Sequence, residues 1–303
     1  MPDFIVGNKT VTLRPKDVVG SGGEADIYRA GGEAYKVFKS PSHQEVKGDL
    51  KLEREARERI AMHQRKLPAL MTLAPKLPKR VATPVELLRD RAGLIAGYQM
   101  NFIDNAEVLF FYGQKDFREQ GHGVSDDVIR DIFVDLHPTV DGGHRAGFIF
   151  SDFNDLNVLV KGREAHVIDA DSGQFGPFVS PMFTIDFVDP LVCDPKQSSP
   201  MLIRPHSADT DWYAYLVMLM RSLLYMGPYG GVYRPKDLKK QVPHEARPLR
   251  RITVFDPDVR YPKPARPYKI LPDALLERTM ALRCAVPLVS SNRAIGTLVC
   301  LPE

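Results

Sequence analysis

The chain is short of the residues that build covalently stapled or thiolate-held scaffolds. Cysteine occurs only as Cys193, Cys284 and Cys300, an odd, scattered set that gives neither a disulfide framework nor a paired-cysteine metal signature. A reducing, cytoplasmic setting follows as the simplest expectation. An excess of charge of one sign is missing too. The 41 Lys and Arg against 38 Asp and Glu leave a formal charge of +3, so the overall field calls for no nucleic-acid partner. Long apolar runs are absent: the longest, around Trp212 to Met226, is broken by Arg221 and is too short and polar for a membrane span. Met1-Pro2-Asp3 opens without an apolar signal core. The histidines show no metal pattern such as His-Glu-x-x-His, and His144 and His166 read as structural. Repeats and low-complexity tracts are not found. What remains is a chain of 303 residues with 44% hydrophobic content, enough to bury one bilobal core or the cores of two small domains.

Strand and turn chemistry dominates the first third. Val11 to Val19 and Ala25 to Arg29 read as strands joined through Gly20-Ser21-Gly22-Gly23, and Ala34 to Phe38 as a third strand after the Gly31-Gly32 turn. Leu52, Ala56, Ile60, His63 and Leu67 recur at helical spacing, and Pro68, Pro75 and Pro78 are expected to end that helix. Val85 to Leu88 and Leu94 to Phe102 complete about five strands and one helix before residue 104. Beyond Asn105 helices take over. Ser125-Asp126-Asp127 caps a helix through Ile129, Ile132, Phe133 and Leu136, which Pro138 should kink or interrupt. A hairpin of Val158 to Val160 and His166 to Ile168 follows, then a buried helix from about Asp211 to Met226, and a last helix is expected over Pro272 to Leu282. The fold class is therefore α+β, with a boundary near residue 104.

Four signals in fixed order carry the chemistry. Gly20-Ser21-Gly22-Gly23-Glu24-Ala25-Asp26-Ile27 lies between two strands, where glycines let backbone N–H groups approach phosphates. A plain glycine hairpin has the same sequence. Ala34-Tyr35-Lys36 puts a lysine among apolar strand residues. The nearby helix offers Glu53, Glu55 and Glu58 as ion-pair partners, Glu55 having the best spacing. Asp152-Phe153-Asn154-Asp155-Leu156-Asn157 places an aspartate at the start of a tight loop, able to accept a hydroxyl proton, and an asparagine that can turn to a metal ion; ordinary Asx turns use the same residues. Val167-Ile168-Asp169-Ala170-Asp171-Ser172 delivers acids at the end of an apolar strand, suited to Mg²⁺, which takes one or two carboxylates plus phosphate oxygens and water.

In this order and spacing the chain resembles the protein kinase superfamily, and among its members the divergent bacterial type with Ile-Asp-x-Asp-Ser in place of Asp-Phe-Gly. The likeness covers about residues 14 to 230 and includes Asp211-Trp212-Tyr213-Ala214, similar to the central helix of the kinase C-lobe, whose first aspartate braces the catalytic loop through backbone N–H groups. The resemblance implies a bilobal fold, with an N-lobe over residues 1–104 and a C-lobe over residues 105–303. It implies an ATP- and Mg²⁺-dependent phosphotransferase acting on a hydroxyl of a protein substrate, of the Ser/Thr kind. Lys36 would contact the α- and β-phosphates and pair with Glu55. Gly20, Ser21, Gly22 and Gly23 would roof the phosphates. Ile27 and Ala34 would sandwich adenine, with Met100 at the gatekeeper position and Asn101 to Ile103 at the adenine-reading hinge. Asp152 would position or deprotonate the acceptor hydroxyl. Asn157 and Asp169 would bind Mg²⁺, with Asp171 a second candidate ligand. Positioning and charge neutralisation would supply most of the catalysis.

The chain departs from the family at several points. Phe150-Ser151 replaces the common His-Arg, which removes the arginine that reads a loop phosphate, so activity without that switch is expected. Asn154 stands where Ser/Thr kinases have lysine, Ala25 where the third glycine is usual, and Phe175 to Pro205 holds no Ala-Pro-Glu. A small-molecule kinase and a nucleotide- or partner-binding pseudokinase are the two other readings. The stretch Arg234, Lys236, Lys239, Lys240, Arg247, Arg250 and Arg251 reads as a solvated loop or as a docking surface for an acidic peptide, a phosphate-bearing partner or nucleic acid, the solvated loop being favoured because few aromatics interleave with its charges.

Overall fold

The structure is a computed structural model that describes residues 3–271, 273 and 275–277. Cys284, Cys300 and most of the helix expected over Pro272 to Leu282 lie outside the described residues. The protein is α+β and divides into two compact units. One takes the chain up to Asp104 together with Asp169–Asp171; the other takes Asn105–Ile168 and the chain from Ser172 onward.

Among the described residues, the first unit is built on a seven-stranded antiparallel sheet and one long helix. Its elements are β1 (Asp3–Val6), β2 (Lys9–Thr12), β3 (Val18–Ser21), β4 (Ala25–Ala30), β5 (Glu33–Phe38), α1 (Leu50–Leu73), β6 (Glu86–Arg89) and β7 (Ile95–Asn101), in sheet order β2-β1-β6-β7-β5-β4-β3. The single strand read over Val11 to Val19 is two, because Pro15–Asp17 forms a 3-10 turn between β2 and β3. Residues directly opposite on antiparallel strands share a face. Ile27 faces Lys36, Lys36 faces Tyr98, and Ala34 faces Met100, so these side chains lie on one side of the sheet. The alternate residue Tyr35 joins Phe4, Val6, Leu13 and Leu88 in a buried cluster.

Helix α1 starts at Asp49, whose carboxylate accepts from the Lys51 and Leu52 amides, satisfying donors that a helix start leaves unpaired. It runs through Pro68 rather than ending there. That proline is exposed, while Leu67 and Leu70 beside it are fully buried, and their burial offsets the lost backbone bond.

The second unit contains β8 (Glu107–Val108), α2 (Leu109–Tyr112), α3 (Lys115–Glu119), α4 (Asp126–Arg145), β9 (Phe148–Ile149), β10 (Val158–Lys161), β11 (Glu164–Val167), β12 (Gln174–Phe175), α5 (Ala208–Leu224), β13 (Val232–Tyr233) and β14 (Val259–Arg260). α4 continues through Pro138 to Arg145, held by buried Thr139, Val140 and Gly143 beyond it. α5 is buried almost throughout and stops at Tyr225, a left-handed cap with φ of 62°. Tyr215 donates to the Phe133 carbonyl at 2.6 Å, tying α5 to α4.

Candidate active site

In the first unit, Lys36 is buried on β5 and its ammonium donates to Asp169 and, at 2.7 Å, to Asp171. Burial works against its charge, but the two carboxylates prevail and raise its pKa. Tyr98, directly opposite on β7, donates to Asp171 at 2.6 Å. β5 and β7 can sit this close because a Cβ on Gly97 would come within 2.0 Å of the Lys36 carbonyl oxygen. Asp171 is 3% exposed, whereas the Asp169 side chain is 24% exposed and its backbone has φ of 66°. A left-handed non-glycine residue carries strain that surrounding structure must hold.

The Lys36–Glu55 ion pair is not formed. Glu55 lies on the exposed face of α1, 3.9 Å from Lys51. The face of α1 turned to the sheet presents His63 and Lys66 instead. His63 stacks on Phe38 with ring centroids 4.2 Å apart and lies 3.9 Å from Asp171. Burial, with Lys36 and Lys66 nearby, lowers its pKa to about 3, so it is neutral. Burial likewise pulls Lys66 down to about 8, against the pull of Asp171 and Asp169. Lys36 thus finds both its counter-ions on the 169–171 segment, and α1 adds a second cation behind Asp171.

The glycine turn is fastened at its ends. Ser21 Oγ donates to Asp26 at 2.6 Å and accepts from buried Lys39 at 3.2 Å; Lys39 also donates to Glu45 at 2.6 Å. Arg59 of α1 reaches Glu24 at 3.1 Å. Gly20 and Gly22 would meet nothing closer than 3.8 Å if given a Cβ, and Gly23 nothing within 4 Å. Ala34 and Met100 are buried and Ile27 is half-buried, while Asn101 is exposed at the end of β7 and Ile103 follows it half-buried.

In the second unit, the loop from Asp152 to Asn157 is braced from α5. Buried Asp211 accepts from the Phe150 amide at 2.8 Å and the Ser151 amide at 3.0 Å, and lies 2.9 Å from His144 Nε2. An ionised carboxylate only accepts, so the His144 ring donates, a structural role. Phe150 packs against Phe148 and Phe153 at centroid distances of 5.1 and 5.3 Å. Ser151 has φ of 66°. Asn154 Nδ2 lies 3.1 Å from Asp152 Oδ1, and Thr184 Oγ1 donates to the same oxygen at 2.8 Å. Asn157 Nδ2 donates to the Asp152 carbonyl at 2.8 Å, which leaves its amide oxygen as the group able to face a cation.

No protein-family model matches the chain, and no curated protein matches it.

Two side chains central to this geometry, Tyr98 and Thr184, were not legible in the sequence. Tyr98 becomes visible only once strand register is known, and Thr184 lies in a segment without a motif. The basic stretch is partly structural. Arg247 is 2% exposed and caps the Gly230 and Gly231 carbonyls at 2.9 Å, and Arg250 donates to the Lys196 and Gln197 carbonyls. Lys236, Lys239 and Lys240 are exposed. Among the described residues, no three His, Cys, Asp or Glu side chains form a metal cage.

Proposed function

We propose that this protein is an ATP-dependent phosphotransferase with a protein-kinase-like bilobal fold, transferring the γ-phosphoryl group of Mg-ATP to a Ser or Thr hydroxyl of a protein. The observation that carries this reading is the buried Lys36 ammonium held by Asp169 and Asp171 on a sheet face that also bears Ile27, Ala34 and Met100. Burying such a cluster is costly unless well paired, and a lysine beside carboxylates is the equipment that phosphates with a divalent cation require. The glycines at 20, 22 and 23 support it further. Steric crowding does not demand them, so their value lies in leaving the backbone open to close approach by a ligand.

The residues divide the work by environment. Lys36 neutralises phosphate charge. Asp169, the more exposed carboxylate, is the magnesium ligand. Asp171, enclosed by Lys36 and Tyr98, orients the lysine, a duty the family gives to a helix glutamate. In the second unit Asn157 offers an amide oxygen to a cation. Bound Mg²⁺ supplies charge neutralisation at the phosphates. Asp152, oriented by Asn154 and Thr184, takes the acceptor hydroxyl's proton as its oxygen bonds the γ-phosphorus and the bridge to ADP breaks.

The test is label transfer from γ-labelled ATP in Mg²⁺, to the protein itself, to serine and threonine peptides, and to hydroxyl-bearing metabolites. Label is expected on protein hydroxyls, and Asp152→Asn is expected to lower the rate by about 10²- to 10⁴-fold. Incorporation into metabolites alone would replace the protein acceptor with a small molecule. A parent that transfers nothing, or an Asp152→Asn variant as fast as the parent, would overturn the reading.

A further inference from the structure

The second unit holds a cavity of about 250 Å³ beside the C-terminal end of α5. That is below the roughly 300–1,000 Å³ of sites that take whole small molecules, and is the size for one side chain. Its lining combines aliphatic Val217, Met226 and Pro228 with the carboxylates of Asp186 and Glu245 and the His244 ring. Arg221 also lines it, but that guanidinium is already matched by Asp155 at 3.4 Å and Asp186 at 3.2 Å. Asp186 keeps 62% of its side chain exposed despite that pair. Glu245 is exposed and forms no ion pair among the described residues. The carboxylates around Arg221 therefore outnumber the cation, and the surplus faces solvent at the cavity.

A ligand that fits has an apolar stem and a cationic head, as arginine and lysine side chains do. The cavity is also wired to the proposed catalytic loop inside the same unit. Asp155 is three residues from Asp152 in that loop, and Asp186 is two residues from Thr184, which donates to Asp152. We infer that this cavity is a specificity subsite that takes an arginine or lysine side chain of the protein acceptor, a step that rests on the phosphotransferase reading. The stem would lie on Val217, Met226 and Pro228 and the head on Asp186 and Glu245, in a charge-assisted contact.

The experiment uses the full chain and fluorescein-labelled serine peptides of otherwise glycine sequence. Each carries one arginine, placed at successive distances from the serine, and has a partner in which citrulline, a neutral isostere, replaces it. Binding is read by fluorescence anisotropy, and phosphate transfer is read in the same samples. The parent is expected to bind the best arginine peptide about tenfold tighter than its citrulline partner. Asp186→Asn/Glu245→Gln should abolish that preference without changing citrulline-peptide binding, and Glu245→Gln alone should reduce it. Equal binding of the two peptides by the parent, or a preference that survives in the double variant, would overturn the inference. If transfer to the citrulline peptide proceeds while no preference is found, only the subsite fails. If no peptide is phosphorylated, the protein-acceptor part of the phosphotransferase reading fails, and the anisotropy series still decides whether the cavity binds a cationic side chain.

Discussion

Asp169 and Asp171 sit two residues apart and both accept from Lys36, yet their surroundings differ, and on the proposed phosphotransferase reading that difference gives them opposite duties. Asp171 is sealed, with Lys36, Tyr98, His63 and the Lys66 charge around it. Burial opposes its ionisation, but Lys36 and the Tyr98 hydroxyl hold its pKa below the usual carboxylate range. A cation reaching it would have to displace partners in a low-dielectric interior. Asp169 is reachable from solvent and held in a left-handed backbone conformation. Substituting each by asparagine should therefore separate stability from metal dependence. Asp171→Asn removes one side of a buried ionic cluster and is expected to cost on the order of 3 kcal/mol in urea unfolding, with little change in the Mg²⁺ midpoint of phosphoryl transfer. Asp169→Asn should unfold nearly as the parent does and need more Mg²⁺. The reverse ranking in both measurements would make Asp171 the metal ligand.

Helix α1 shows where pattern reading stops. Its existence was legible from the apolar spacing, and so was the buried run through Ala56, His63 and Leu67. Its inner face was not, because Leu52 is 40% exposed while Lys66 is buried. Periodicity ranks residues by polarity, and Lys66 is inside where Asp171, far along the chain, offsets its charge. The same blindness produced the Glu55 partner for Lys36: with acids available from the 169–171 segment, Glu55 and Glu58 stay in water and Glu53 caps the Gly48 amide. Pro68 misled for a related reason, and Pro138 does not interrupt α4, since both are carried within helices whose far turns are packed. The loop acids and amides, Asp152, Asn157 and Asp169, were legible because local turn chemistry sets their spacing. His63 gives the helix a measurable pH signature. Folded, it refuses a proton down to about pH 3 because burial disfavours its charged form, whereas the unfolded chain accepts one near pH 6.5. Stability is then fully present above about pH 6.5 and falls as pH drops toward 3, by at most about 1.4 kcal/mol per pH unit from this group. His63→Leu should flatten that slope between pH 6.5 and 5 in urea titrations; an unchanged slope would mean that His63 is not buried neutral.

The path of the chain makes the first unit depend on residues that follow it at a distance. Ile168 belongs to the second unit, Asp169–Asp171 to the first, and Ser172 to the second again. A polypeptide ending at Asp104 would keep every strand of the seven-stranded sheet and α1, yet lose both carboxylates that answer Lys36 and Lys66. These two lysines are 7% and 2% exposed. An unpaired buried charge costs several kcal/mol after relaxation, and two of them rival the whole stability of a small domain, about 5–15 kcal/mol. The fragment is therefore expected to lack a cooperative thermal transition and dispersed amide resonances, despite its complete set of secondary-structure elements. Lys36→Met with Lys66→Met, which removes both charges and keeps apolar bulk, should restore a cooperative transition in the same fragment. A parent fragment that melts cooperatively, at the temperature of the doubly substituted one, would show that Asp169–Asp171 contributes nothing to holding the first unit together.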